Sequence, residues 1–219
     1  MINDKKKTMN YKIIEGREVV VNDILEALEL DREYYSIPDD EQFDIQKCLN
    51  WYSKNDRIYT MIKDNTTGQI VGYINAAPIN DRCYQDIKDG KFPDADINDD
   101  DVIDYLSPGE FKLYFASIVL DDKKDRIIRF KLLYEAFIDK LIKLTKENII
   151  ITRILADAIS VKGKELCKAS GLTRIKNTDH DDSMIFEIEL FPPNFKVHTS
   201  KQKELFDVLM TKYMEVNNK

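Results

Sequence analysis

One segment in the middle of the chain restricts the possible folds more than any other. Phe111 to Leu120 reads FKLYFASIVL, an apolar and β-branched run that is typical of a buried strand. The charged residues Asp121 to Arg126 follow as a turn. A long amphipathic helix is then predicted from about Ile127 to Lys146. A buried strand that leads into an amphipathic helix indicates a sheet covered by helices.

Helical and strand patterns continue on both sides of this segment. The other predicted helices are Val19–Leu30, Glu41–Tyr52, Gly163–Ser170 and Ser200–Val216. The other predicted strands are Arg57–Asp64, Gln69–Ala77, Ile149–Ala156, Thr173–Lys176 and Met184–Leu190, the first two forming a hairpin. This order predicts one mixed sheet with helices on both faces, over a domain of residues 1–190. Residues 191–219 are predicted to form a C-terminal extension with an amphipathic helix.

Composition excludes several classes of protein. The chain has only seven glycines in 219 residues, and they form neither a dinucleotide-binding fingerprint nor a phosphate-binding loop. Three separated cysteines and two histidines argue against a disulfide framework and a metal site. The formal net charge of −7 argues against nucleic acid as a partner, and no apolar run is long enough for a membrane span. We expect a cytoplasmic protein that is a monomer or a homodimer.

An acidic stretch, FPDADINDDDVID, precedes the central strand. Asp94, Asp96 and Asn98 have the spacing of the first calcium ligands of an EF-hand loop. Asp99 and Tyr105 stand where that loop requires glycine and glutamate, so a calcium site is disfavoured. A solvated acidic loop remains one interpretation, and a border that attracts a cationic amine substrate remains another.

The order of elements resembles the GNAT superfamily of acyl-CoA-dependent N-acyltransferases. Three segments carry the resemblance, Ala116 to Phe137, Ile154 to Leu172 and the hairpin Thr60 to Ala77, within a match from Val19 to Leu190. It implies an α/β (α+β) fold with a mixed, mostly antiparallel central sheet of six to seven strands and helices on both faces. It also implies transfer of an acetyl group from acetyl-CoA to an amine of a small molecule or peptide, by direct attack.

The resemblance implies where coenzyme A binds. Its pantetheine arm would run along the backbone of Ile118, Val119 and Leu120, and its pyrophosphate would lie at the start of the following helix. The N–H groups and dipole of a helix N-terminus favour an anion at that position. The implied contacts there are Arg126, Ile127, Ile128, Arg129, Phe130 and Lys131. Ser160 is a further implied contact, and its position fits a helix cap equally well.

The sequence departs from the family pattern at the pyrophosphate turn, which has no glycine. An alignment without gaps puts the two family glycines at Ile127 and Arg129, and a shift of one residue puts them at Ile128 and Phe130. β-branched side chains disfavour a positive φ and narrow the space for a phosphate. A GNAT-fold protein without turnover, acting as a binding module or a small-molecule sensor, is therefore the alternative to an active acetyltransferase.

The candidate catalytic residues are Cys167 and Tyr114. Cys167 stands where many family members have the tyrosine that protonates the departing thiolate, and it also fits a small apolar core residue. Tyr114 and Ser117 lie on the central strand, and each is either a candidate for the base that deprotonates the amine or a structural residue. Asp104 and Glu110 precede that strand, and the same two interpretations apply to them.

Overall fold

The computed structural model describes residues 10–35, 45–93, 96–121, 125–179, 182–191 and 194–217. Its strands are β1 (Tyr11–Glu15), β2 (Tyr59–Asp64), β3 (Ile70–Ile79), β4 (Gly109–Leu120), β5 (Ile149–Ala158), β6 (Thr173–Asn177) and β7 (Met184–Glu189). Its α-helices are α1 (Val21–Tyr35), α2 (Ile45–Lys54), α3 (Asp81–Lys88), α4 (Arg126–Lys146), α5 (Val161–Ala169) and α6 (Ser200–Asn217).

The seven strands form one mixed sheet in the order β1-β2-β3-β4-β5-β7-β6. The pairs β1 with β2, β2 with β3, β5 with β7 and β7 with β6 are antiparallel. β4 and β5 are parallel, and α4 is the helix that connects them. Parallel strands need a crossover of this kind. The predicted fold class, a mostly antiparallel sheet with helices, is confirmed.

The sequence analysis missed β1. This strand pairs antiparallel with β2, from Tyr11 opposite Asp64 to Glu15 opposite Thr60. Only Ile14 of its five residues is buried, because the strand lies at the edge of the sheet. Such a strand carries too little apolar periodicity to stand out in the sequence.

The chain divides into two compact units. The first takes its described residues from Met1–Ala76 and Ser117–Phe137, so it holds α1, α2, β1, β2, most of β3, the end of β4 and the start of α4. The second takes them from Ala77–Ala116 and Ile138–Lys219. It contains α6, which was predicted as an extension, while the boundary at residue 190 stays a prediction.

Some predicted features fall outside the described residues. Among them are Asp94 of the acidic stretch, residues 41–44 of the second predicted helix and the lysines at 123 and 124. Within the described ranges, none of the helices combines the length and the apolar character that crossing a membrane requires.

Candidate functional site

The end of β4 is the segment on which the coenzyme A prediction depends. The parallel ladder between β4 and β5 ends at Tyr114 and Leu155, whereas β4 continues to Leu120. The four residues Phe115 to Ile118 are all half-buried, although β4 is the central strand of the sheet. Side chains alternate between the two faces of a strand, so solvent reaches both faces of this segment.

A glycine on β3 lets the strand end lie close to its neighbour. Asp121 N–H donates to the Val71 carbonyl at 3.2 Å, just beyond β4. A Cβ placed on Gly72 would lie 2.8 Å from Leu120 Cδ2 and 3.0 Å from the Val119 carbonyl oxygen. A side chain at Gly72 would therefore press on the strand residues that were predicted to hold the pantetheine arm.

The turn between β4 and α4 takes a left-handed conformation at Asp125, with φ of 71°. Aspartate tolerates this region better than β-branched residues do. The Asp125 carbonyl accepts the first helical bond, from Arg129 N–H at 3.0 Å. The four positions where the family glycines could align, residues 127–130, are all helical and need no positive φ. The helix therefore begins after Asp125 without a glycine at any of these positions.

The start of α4 has two features that favour an anion. The N–H groups of Ile127 and Ile128 lie in the first turn of α4, where helix geometry provides no intrahelical acceptor. The positive end of the helix dipole lies at the same place. The Ile127 side chain is 85% exposed, so it lies in solvent and is not packed into the protein interior.

Arg129 does not face solvent, contrary to the role predicted for its side chain. The residue is 1% exposed, and its guanidinium pairs with the Asp121 carboxylate and lies 3.4 Å from the Val71 carbonyl. It also stacks over the Tyr11 ring at 5.9 Å. The physical reason is the buried carboxylate of Asp121, which requires a cation beside it. Arg129 thus ties the turn to β3 and β1 instead of presenting charge to a pyrophosphate.

Two other basic side chains at the helix start remain accessible. Arg126 is half-buried and lies over the Tyr34 ring at 5.9 Å. The Lys131 side chain is 73% exposed and lies 3.9 Å from Glu135. Phe130 is half-buried and stacks on Tyr134, at 5.9 Å between the ring centroids. Of the residues that the structure describes, Arg126 and Lys131 are the basic side chains that could reach a ligand at the helix start.

A buried carboxyl cluster lies in the same unit, and sequence reasoning missed it. Asp31 is 5% exposed and accepts hydrogen bonds from two hydroxyls, Tyr73 on β3 and Ser117 on β4. The Ser117 Oγ to Asp31 Oδ1 distance is 3.3 Å, and the two hydroxyl oxygens are 3.1 Å apart. Burial raises the pKa of Asp31 to about 6, and the two hydrogen bonds offset only part of that rise.

The surroundings of Asp31 are polar but not cationic. The buried Tyr59 and Tyr73 rings lie 6.0 Å apart, and burial, followed by the neighbouring acidic groups, raises the pKa of both phenols well above the ordinary value. Among the residues that the structure describes, no lysine or arginine forms an ion pair with Asp31. One feature of the sequence indicates that Asp31 is buried. It has the helical spacing of the buried residues Ile24, Ala27 and Leu28 on α1.

The remaining predicted site residues lie in the second unit. Tyr114 is 1% exposed. Cys167 is half-buried on α5, and burial, reinforced by the Asp157 carboxylate, raises the pKa of its thiol to about 11. The thiol is therefore protonated at neutral pH. Ser160 caps α5, because its Oγ accepts a hydrogen bond from Gly163 N–H at 3.0 Å.

Part of the acidic stretch has a structural role in the same unit. Asp101 is buried and accepts hydrogen bonds from Asn80 at 2.9 Å and from Arg82 at 2.6 Å. Asn98 and Asp101 also form a capping box around a short 3₁₀ turn. The expectation of a solvated loop thus does not hold for Asp101, whose carboxylate anchors the segment to the start of α3.

Comparison with solved structures identifies the fold. Ard1 from Thermoplasma volcanium aligns with a TM-score of 0.52 and 11% identity, over 82% of this chain and 97% of that chain. A chain of the NatC complex bound to Gag peptide and CoA aligns with a TM-score of 0.52 and 12% identity, over 82% and 98%. The putative acetyltransferase yncA from Salmonella typhimurium, solved with its cofactor acetyl-CoA, aligns with a TM-score of 0.50 and 12% identity, over 87% and 99%.

No family model matches the sequence, and no curated protein matches it significantly. The structural alignments nevertheless extend over almost the full length of the neighbouring chains. The chain therefore has the GNAT acetyltransferase fold, as the sequence resemblance predicted.

Proposed function

We propose that the protein is an N-acetyltransferase that moves an acetyl group from acetyl-CoA to an amine of a small molecule or peptide. The observation that carries this proposal is the end of β4, which continues from Phe115 to Leu120 beyond the parallel ladder and stays half-buried up to Ile118. An extended ligand arm can bond to backbone groups of such a segment as an added strand would.

The start of α4 supports the same ligand. The pyrophosphate of coenzyme A carries negative charge, which the first-turn N–H groups of Ile127 and Ile128 and the helix dipole favour. Arg126 and Lys131 add accessible positive charge at the same end of the helix. The solved neighbours with CoA or acetyl-CoA bound have the same fold, which is consistent with this ligand.

The chemistry proposed is direct attack of the amine on the thioester. A main-chain N–H near Ile118 to Leu120 would stabilise the oxyanion of the tetrahedral intermediate. Either Cys167 or a water molecule would protonate the departing thiolate. The Cys167 thiol holds its proton at neutral pH, so it is able to serve as a donor.

Isothermal titration of the purified protein with acetyl-CoA and with CoA tests the proposal. Micromolar binding is expected. Lys131→Glu is expected to weaken it by about tenfold, which corresponds to about 1.4 kcal/mol. The matched control is Lys203→Glu on α6, which also removes an exposed lysine that pairs with an acid four residues later. The control should bind acetyl-CoA as the wild type does.

The titration also distinguishes the two functions that the sequence left open, an active acetyltransferase and a GNAT-fold protein without turnover. Absence of binding at millimolar acetyl-CoA would refute the acetyltransferase proposal and favour a GNAT-fold interaction module. Equal losses for Lys131→Glu and Lys203→Glu would contradict the placement of the pyrophosphate at α4. Micromolar binding with a loss confined to Lys131→Glu would support both the ligand and its position.

A further inference from the structure

Asp31 is a buried carboxyl group that accepts hydrogen bonds from two hydroxyls. Elsewhere on α1, the buried Asp23 has a structural explanation, since Lys63 Nζ lies 2.7 Å from its Oδ1 and Val20 N–H donates to its Oδ2 at 3.1 Å. In the described part of the chain, Asp31 has hydroxyl donors and no cation of this kind. An ionised carboxylate without a cation is costly inside a protein, so its presence here points to a chemical role.

The cluster connects this carboxylate to the exposed part of β4. Ser117 belongs to the half-buried run of the strand, whereas Asp31 and Tyr73 are buried behind it. Ser117 also directly precedes Ile118, where the backbone predicted to hold the thioester begins. A proton that reaches Ser117 Oγ next to the thioester has Asp31 Oδ1 as an acceptor 3.3 Å away.

We propose that Ser117 and Asp31 form a proton relay that removes a proton from the acceptor amine, with Tyr73 as the residue that positions the carboxylate. This inference rests on the acetyltransferase function proposed above and names the base that it needs. Ser117 is the member that touches the substrate, and Asp31 acts through it. Tyr114 is less suitable than Ser117 because its side chain is buried.

The step balances without a further reactant. The ammonium of the substrate gives one proton to Ser117 Oγ as the Ser117 hydroxyl proton moves to Asp31 Oδ1. The neutral amine nitrogen then forms a bond to the thioester carbonyl carbon, and the C–S bond breaks when the tetrahedral adduct collapses. The adduct nitrogen loses its second proton, the thiolate takes up one proton, and Asp31 releases its proton to solvent.

The groups that face Asp31 determine its response to pH. Tyr73 on β3 and Ser117 on β4 donate to it, and Tyr59 on β2 lies behind Tyr73 with Cys48 of α2 beside it. The two phenols are neutral at pH 5–9, because burial raises the pKa of both well above the ordinary value. Asp31 is therefore the group of this cluster that changes charge in that range.

The test measures thiol release from acetyl-CoA between pH 5 and 9 with three probe amines: spermidine, phenethylamine and a hexapeptide with a free N-terminus. The wild type should show an acid limb in kcat/KM with an inflection near pH 6. Asp31→Asn and Ser117→Ala should each lower kcat by at least about 100-fold, with unchanged acetyl-CoA affinity. Tyr73→Phe should move the acid limb to higher pH, since the carboxylate loses a donor. The control Asp23→Asn should leave the limb in place.

The outcomes separate the relay from the function on which it rests. A wild type that does not bind acetyl-CoA refutes the proposed function and the relay together. A wild type that binds acetyl-CoA and acetylates none of the probes also contradicts both, as expected for a GNAT-fold protein without turnover. If Asp31→Asn does not fold, two other measurements test the relay. These are the rate of Ser117→Ala and the shift of the acid limb in Tyr73→Phe. Wild-type rates in Ser117→Ala, or an unmoved limb in Tyr73→Phe, would overturn the relay.

Discussion

Replacing Asp31 with asparagine is expected to stabilise the protein at neutral pH while it removes the proposed base. Burial raises the pKa of this carboxyl from an ordinary 3.8 to about 6. One pKa unit corresponds to about 1.4 kcal/mol, so the ionised side chain lowers the free energy of unfolding by about 3 kcal/mol. Asparagine has nearly the same shape, carries no charge, and still offers an oxygen to Tyr73 or Ser117.

The pH dependence has a definite sign. Below pH 3.8 the carboxyl is protonated in both the folded and the unfolded chain, so it contributes fully to stability. As pH rises from about 4 to about 6, the unfolded chain loses this proton first, and the wild type loses stability relative to Asp31→Asn. Above that window the difference should be constant. The variant should therefore be close to the wild type at pH 4 and more stable at pH 7.5.

Urea unfolding at pH 4, 5, 6 and 7.5 checks this prediction, with the fluorescence of the single tryptophan, Trp51, as the signal. Trp51 is buried in the same compact unit as Asp31. Asp23→Asn is the matched control, and it should have the opposite effect at neutral pH. It removes the partner of Lys63, so it should destabilise the fold by about 1–3 kcal/mol. A stability difference between Asp31→Asn and wild type that is the same at all four pH values would refute the reasoning.

Two further predictions concern the turn before α4. Arg129→Met should lower the free energy of unfolding by about 3–5 kcal/mol, because it leaves the Asp121 carboxylate buried without its cation. A loss below about 1 kcal/mol in urea unfolding would contradict a stabilising role of the Arg129–Asp121 ion pair. Asp125→Gly should relieve the left-handed residue and remove a negative charge at the helix start, so calorimetry should show several-fold tighter acetyl-CoA binding. Weaker binding of this variant would argue against a phosphate at that position.

Most elements of the fold could be predicted because each leaves a regular apolar pattern in the sequence. The strand Gly109–Leu120 and the helix Arg126–Lys146 differ from their predicted limits by at most two residues at either end. The edge strand Tyr11–Glu15 was missed because it buries one side chain, which leaves no alternation to read. Secondary structure was thus predictable where an element buries a face, and less so where it does not.

For the candidate site, the sequence predicted the strand and the helix that form it. It did not predict which charged side chains are buried there. The pattern identified the strand end at Ile118 to Leu120 and the helix that follows. It did not reveal that Arg129 turns inward, because a charged residue at a helix start is normally solvated, and its partner Asp121 is found only once the turn is folded. Asp31 was detectable in principle, since a carboxylate on the apolar stripe of α1 breaks the pattern that Ile24 and Leu28 establish.

The glycine-free turn is the point at which this sequence departs most from the GNAT pattern, and the structure describes the residues on either side of residues 122–124. Asp125 supplies the left-handed residue, and Gly72 on the neighbouring strand leaves the space beside the strand end. Arg129 holds the turn in place through Asp121. Among the described residues, a phosphate at the helix start would meet backbone N–H groups and the side chains of Arg126 and Lys131. The absence of glycine thus leaves in place a helix N-terminus of the kind that favours an anion.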